Sequence, residues 1–261
     1  MNLSYFNRQF AAKGYCIVNL LSKNQINKIK KIVISKIKKL SNKSKYLDNF
    51  NYKKMHNYHL LNIPGKEHKK ILKTSSRYVM LDKLITNVIS KNKHINSIMH
   101  SNWGHNSFII NWVGSLKKRQ IKRRAIGFRI ARPSKVRAKD ATSIHCDLHV
   151  GGKICNDKNV LITAWLPLVG FNKKYSLRFA PKSHLFDHPT SGFTKSKIVS
   201  NIFSKSYYRS FKFFRPTLKK GQAIIFHPNL LHGNSYNLGN VTRFSVEIRF
   251  YNKKNIRNWL N

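Results

Sequence analysis

A jelly roll or closed β-barrel flanked by helices is the fold class that this sequence predicts. Two observations predict it. Up to about residue 105 the apolar residues recur at helical spacing; from about Ser107 the period shortens to that of strands, with Pro, Gly and Asn between the runs. Helices first and many short strands after are the order expected of a β core with a helical flank. The chain has 261 residues, 41% of them hydrophobic and 12% aromatic. That is enough for a packed interior, and it excludes a disordered or collagen-like chain.

After a polar start, Gly14-Tyr15-Cys16-Ile17-Val18 reads as a short strand. Ser22 opens a helix, because Gln25 three residues later completes a capping box. Ile26, Ile29, Val33, Ile37 and Leu40 form its apolar stripe, and Lys28, Lys31, Lys38 and Lys39 lie off it. Such a helix could rest on an anionic membrane, but packing the stripe on a core is the commoner use. Residues 41–72 have few periodic apolar positions and read as a long irregular stretch of the kind that often serves as a lid. A second helix is expected next, with Tyr78, Leu81, Leu84, Ile85 and Val88 inward. The strands then run through Phe108–Ile110, Ile126–Ile130, Val160–Leu166, Ala223–Phe226 and Phe244–Phe250. No repeat or boundary divides the chain. Residues 1–261 are expected as a single domain, helical over about 1–105 and jelly-roll over about 106–251.

Lys and Arg total 51 against 8 Asp and Glu, a net charge of +43. Such a field attracts nucleic acid, anionic membranes or acidic substrates. Compositional drift towards Lys, Asn and Ile is the preferred account of it. The lysines also lie in nearly every segment, where a dedicated nucleic-acid face would concentrate them. The densest run is Lys117-Lys118-Arg119-Gln120-Ile121-Lys122-Arg123-Arg124. Cys16, Cys146 and Cys155 are an odd set with no CxxC pair, which excludes a disulfide scaffold and fits a reducing compartment. No apolar run reaches the roughly 20 residues of a membrane span, and no signal-peptide core opens the chain. A soluble, cytoplasmic protein is expected.

With so few acidic residues, Asp147 in Ser143-Ile144-His145-Cys146-Asp147 stands out. Residues i and i+2 of a strand share a face, so His145 and Asp147 would project together and Cys146 away from them. An imidazole and a carboxylate so placed can occupy neighbouring positions on a metal, and a distant His would complete the facial triad of a non-haem iron oxygenase. HxD alone is weak, because chance pairs are common. The C-terminal segment strengthens it: Gly221–Phe226 leads to His232-Gly233-Asn234, and Arg243 opens a strand eleven residues beyond His232. Arg suits bidentate capture of a carboxylate, such as the distal one of 2-oxoglutarate. His227 is a rival for the distal ligand, but it lacks the following Gly-Asn and the offset to Arg243. His149 would share the metal-facing side, as a rim or substrate-facing group. Walker-type phosphate loops, GxGxxG, HExxH and GxSxG are all missing.

Together these segments resemble the phytanoyl-CoA dioxygenase family of Fe(II)/2-oxoglutarate-dependent oxygenases. The matching stretches are the early Gly-Tyr strand with its helix, the HxD segment, Trp165-Leu166-Pro167-Leu168 leading to Ser176-Leu177 and Pro181-Lys182-Ser183-His184, and the final His-Gly-Asn to Arg segment. The resemblance implies a double-stranded β-helix, the cupin-like jelly roll, with a metal inside one mouth. It implies His145, Asp147 and His232 as iron ligands and Arg243 as the clamp on 2-oxoglutarate. It also places Trp165 and Asn234 beside the co-substrate, and Arg129 as a further contact. Trp165 is equally explained as barrel core, and Asn234 as a turn residue.

The implied reaction consumes 2-oxoglutarate and O2, oxidises an aliphatic carbon of a small molecule and releases succinate and CO2. The positive field favours an anionic substrate, such as an acyl-CoA, a phosphorylated or nucleotide-linked sugar, or a lipid head group. Residues 185–217 carry Phe186, Phe193, Phe203, Tyr207, Tyr208, Phe211, Phe213 and Phe214, which could form a substrate lid or pack ordinary strands. Two other classes compete: a basic nucleic-acid-binding or nucleic-acid-modifying protein, and a catalytically inactive jelly-roll binding module. No specific nucleic-acid partner is expected, since salt-sensitive binding would follow from charge alone.

Overall fold

The computed structural model describes residues 2–40, 45–79, 83–110, 126–133, 144–149, 161–189, 203–233 and 236–255. Helix α1 (Leu3–Lys13) occupies the stretch that sequence reasoning left as a polar start. Asn2 caps it, and Phe6 and Phe10, four residues apart, are its only buried side chains. With only Phe6 and Phe10 on the buried face, the stripe is too faint to read. Gly14 ends the helix in the left-handed conformation, with φ +80°, rather than opening a strand. A side chain there would also collide with the His184 ring.

Strand β1 (Tyr15–Asn19) leads to α2 (Lys23–Leu40). The capping box is present in both directions: the Ser22 backbone N–H donates to Gln25 Oε1 at 2.9 Å, and the Gln25 N–H donates to Ser22 Oγ at 3.2 Å. Ile26, Ile29, Val33 and Ile37 of the expected stripe are buried. The expected irregular stretch instead contains 3-10 turns at Lys45–Leu47 and Tyr52–Leu61 and the start of α3 (Gly65–Val79). The expected second helix is two helices, α3 and α4 (Lys83–Ser90). Leu84 is exposed, against expectation, because Ile85, Thr86 and Ile89 face the core. Helix α5 (Lys93–Trp103), capped by Asn92 and Gly104, completes the helical part; no run in the sequence had marked it.

The sheet is antiparallel, in the order β1-β6-β4-β8-β2. Its further members are β2 (Phe108–Ile110), β3 (Gly127–Ala131), β4 (Leu161–Val169), β6 (Gln222–Phe226) and β8 (Arg243–Asn252). Strand β8 pairs with β4 along one edge, and with β3 and β2 in succession along the other. β4 runs through Pro167, where its register on β8 shifts. A smaller sheet pairs β5 (Arg178–Phe179) with β7 (His232–Gly233). Single bridges extend it on both sides, Phe214 to Phe179 and His145 to His232. Two-residue strands carry no readable alternation, which is why they escape sequence reading.

Alternate residues of the large sheet divide between two interiors. Val18, Phe128, Ile130, Ile162, Ala164, Leu166, Ala223, Ile225, Phe244, Val246, Ile248 and Phe250 pack against the helices. Ile17, Trp165, Ile224 and Phe226 instead meet Leu177, Phe179 and Phe214. The architecture is therefore a jelly roll with its helices on the outer face of the larger sheet. Short helix α6 (Lys205–Arg209) belongs to the segment before β6. Phe203, Tyr207, Tyr208, Phe211 and Phe213 there pack with Ile144, Cys146, Leu148 and Leu231, so they form core around the HxD segment. Phe193 lies outside the described residues.

Candidate metal centre

His145, Asp147 and His232 converge, with one potential ligand atom from each lying within 4.8 Å of the others. The HxD segment is no regular strand. His145 occupies a single bridge and Asp147 starts a 3-10 turn, Asp147–His149. Backbone bonds set its position: the His145 N–H donates to the His232 carbonyl at 2.8 Å, the His232 N–H returns the bond at 2.9 Å, and the Asp147 N–H donates to the Pro228 carbonyl at 2.7 Å. The turn, and not β alternation, points His145 and Asp147 together. Cys146 is buried in apolar surroundings, as expected.

The Pro-x-Ser-His motif braces this arrangement. Ser183 Oγ accepts from the Leu231 N–H at 2.8 Å, next to His232, and His184 Nε2 lies 3.0 Å from the Ala11 carbonyl. Phe179 stacks on the His232 ring at 6.1 Å, and the Phe226 ring lies 4.7 Å away. His232 Nδ1 lies 2.9 Å from the Leu230 carbonyl, so it carries the proton and donates it there. Nε2 is buried, has no hydrogen-bond partner among the described residues, and lies 4.0 Å from Asp147 Oδ1. A buried unsatisfied nitrogen is costly, and a cation bound to it removes the cost. One carboxylate and two imidazoles are donors suited to a divalent transition metal.

Asp147 is fully buried, and sequence reasoning missed the two residues that bond to it and a third behind them. Arg249 Nη2 donates to Oδ1 at 2.5 Å, Thr163 Oγ1 donates to Oδ2 at 2.6 Å, and Glu247 accepts from the same Arg249 nitrogen at 3.2 Å. Burial by itself would raise the Asp147 carboxyl. The Arg249 guanidinium, the two imidazoles and the Thr163 hydroxyl outweigh it and bring the carboxyl down to about 2. The signal was available: β8 reads Arg243, Ser245, Glu247, Arg249 at alternate positions in a chain with 8 acidic residues. Polar alternation in a strand buried along its whole length marks a lined interior.

Arg243 is buried at the head of β8, its Nη1 donating to the Tyr175 carbonyl at 2.8 Å and its guanidinium carbon 6.0 Å from the Trp165 ring centre. Trp165 is thus both core and neighbour of Arg243. Arg129 is half-buried on β3, opposite Ser245. His227 lies elsewhere, against Phe10 and His184, with its Nδ1 accepting from the Asn229 N–H. Asn234 and the basic run 117–124 lie outside the described residues, as does Cys155, and the His149 side chain is not described.

The family model described as phytanoyl-CoA dioxygenase matches residues 10–245. Among solved structures, AviO1 from Streptomyces viridochromogenes Tue57 aligns at 11% identity over 97% of this chain and 96% of its own, with a TM-score of 0.56. The epimerase SnoN in complex with Fe3+, alpha ketoglutarate and nogalamycin RO aligns at 13% identity, over 96% of this chain and 83% of its own, with a TM-score of 0.56. The non-heme monooxygenase ThoJ, as its nickel complex, aligns at 14% identity over 94% of this chain and 76% of its own, with a TM-score of 0.52. At these identities the likeness is one of fold. Comparison with curated protein sequences found no match. Among the described residues, no helix is long and apolar enough to cross a membrane.

Proposed function

The chain belongs to the phytanoyl-CoA dioxygenase family, and from that premise we propose that it is an Fe(II)- and 2-oxoglutarate-dependent dioxygenase. We assign it the hydroxylation of an aliphatic carbon of a small, anionic metabolite, with release of succinate and CO2. The observation that carries this reading is the buried His232 Nε2, without a hydrogen-bond partner among the described residues, its ring oriented by the Nδ1–H bond to Leu230 and Nε2 facing Asp147. His145, Asp147 and His232 hold the iron. When bound with 2-oxoglutarate and O2, iron supplies the oxidation of a substrate C–H bond.

Every other part of the work belongs to the chain's own side chains. Arg243 grips the distal carboxylate of 2-oxoglutarate, with Trp165 fixing the guanidinium plane. Ser245, the next inward residue on β8, is buried with its hydroxyl unpartnered, and supplies a second donor to the same co-substrate. Thr163 orients the Asp147 carboxylate through Oδ2, and Arg249 pairs with its Oδ1. Phe179 and Phe226 exclude water from the distal imidazole. The surrounding field, +43 overall, favours anionic substrates: an acyl-CoA, a phosphorylated or nucleotide-linked sugar, or a lipid head group.

Anaerobic titration with Fe(II) and 2-oxoglutarate tests this. A weak visible charge-transfer band is expected in the wild type and lost in His145→Ala. In Arg243→Ala it should need about 10–100-fold more 2-oxoglutarate, the loss expected when a charged clamp is removed. No band under reducing, metal-replete conditions refutes the reading. Succinate release that is flat across the anionic candidates removes the substrate assignment.

A further inference from the structure

Arg249 and His232 approach the same carboxylate oxygen. Arg249 Nη2 donates to Asp147 Oδ1 at 2.5 Å, and His232 Nε2 lies 4.0 Å from that atom. The other oxygen, Oδ2, is held by Thr163 at 2.6 Å, and Thr163 is fully buried. Oδ1 is the oxygen that faces His232 Nε2, so a dication held between the two would share it with a guanidinium. Two cations on one buried oxygen repel strongly, because little solvent screens them. The guanidinium needs a second acceptor, and one is in place: Glu247 Oε1 lies 3.2 Å from the same Nη2, two residues back on the inward face of β8.

Resting on the metal reading above, we infer that Glu247, Arg249 and Asp147 form a counter-charge exchange that sets metal affinity. Arg249 competes with the metal for Oδ1, and Glu247 receives the guanidinium when the metal takes that oxygen. Glu247 is thus a positioning residue, acting on the metal only through Arg249. This also accounts for a carboxylate on the inner face of β8 in a chain with 8 acidic residues. Without the exchange, Arg249 would simply oppose metal loading.

A double-mutant cycle read by Co(II) binding distinguishes this from a charge acting through space. The visible absorbance of Co(II) is followed in the wild type, Glu247→Gln, Arg249→Met and the double variant, without 2-oxoglutarate or turnover. Glu247→Gln should weaken Co(II) binding about 10–100-fold, the usual size of an effect from a residue behind the ligands. Arg249→Met should bind Co(II) at least as tightly as the wild type. In the Arg249→Met background, Glu247→Gln should have no effect. Wild-type affinity in Glu247→Gln, or the same loss in both backgrounds, overturns the exchange; the first of these decides even if Arg249→Met does not fold. No cobalt band in the wild type removes the metal reading, and this inference with it, whereas a wild-type band lost in His232→Ala keeps that reading whatever Glu247 does.

Discussion

The two faces of β8 are equally buried and chemically opposite. Outward, Phe244, Val246, Ile248 and Phe250 pack on the helices with no polar atom among their side chains. Inward, Arg243, Ser245, Glu247 and Arg249 line the jelly-roll interior with three charges and a hydroxyl. Burial thus says nothing about which face does chemistry. The outer face is stabilised by area removed from water, which depends on volume and shape. The inner face persists because each charge has a partner; left alone, each would cost more than the fold could bear.

If this contrast holds, substitutions on the two faces fail differently. The largest effect is expected from Phe250→Ala on the outer face: a loss of about 3–5 kcal/mol in urea unfolding, with metal affinity of the folded protein unchanged. A change in affinity would show that the faces are coupled. Asp147→Ala on the inner side should cost about 3 kcal/mol, at the low end for a broken buried pair because Glu247 still accepts from Arg249. It should also abolish Co(II) binding.

The pH dependence sharpens the same point. Asp147 has its carboxyl lowered from 3.8 to about 2, so its contribution to stability is complete above 3.8 and is lost as pH falls towards 2. Across that window the wild type should lose about 2 kcal/mol that Asp147→Asn does not lose, measured by urea unfolding at each pH. The smallest effect is expected from Thr163→Val. Deleting the one hydroxyl on Oδ2 should cost about 1.5 kcal/mol and leave the Co(II) band present but weaker.

Much of the outer face was legible. The stripe of α2 and the runs at 108–110, 127–130, 161–166, 223–226 and 244–250 lie in elements of the type expected, because helical and strand periods are local properties. Helices α1 and α5 were not legible, since they bury only two and three residues and their packing depends on Gly14, Gly104 and contacts distant in sequence. Leu84 was misplaced for a related reason. In a short helix joined to a neighbour, the buried side is chosen by the neighbour.

The site divides in the same way. Residue types and spacing, with the family resemblance they carry, made His145, Asp147, His232 and Arg243 candidates for one iron and 2-oxoglutarate centre, because metal ligands and carboxylate clamps demand particular side chains. The sequence also determined that β8 has two faces, since alternation follows from the pleat. Only the tertiary structure decided that His145 and Asp147 converge through a 3-10 turn, that Leu230 orients the His232 ring, and that Thr163 and Arg249 bond to Asp147 with Glu247 behind Arg249. Those contacts join residues as much as 102 positions apart. Charge pairing acts through distance in space, and no pattern along a chain encodes that distance until the strands have chosen their neighbours.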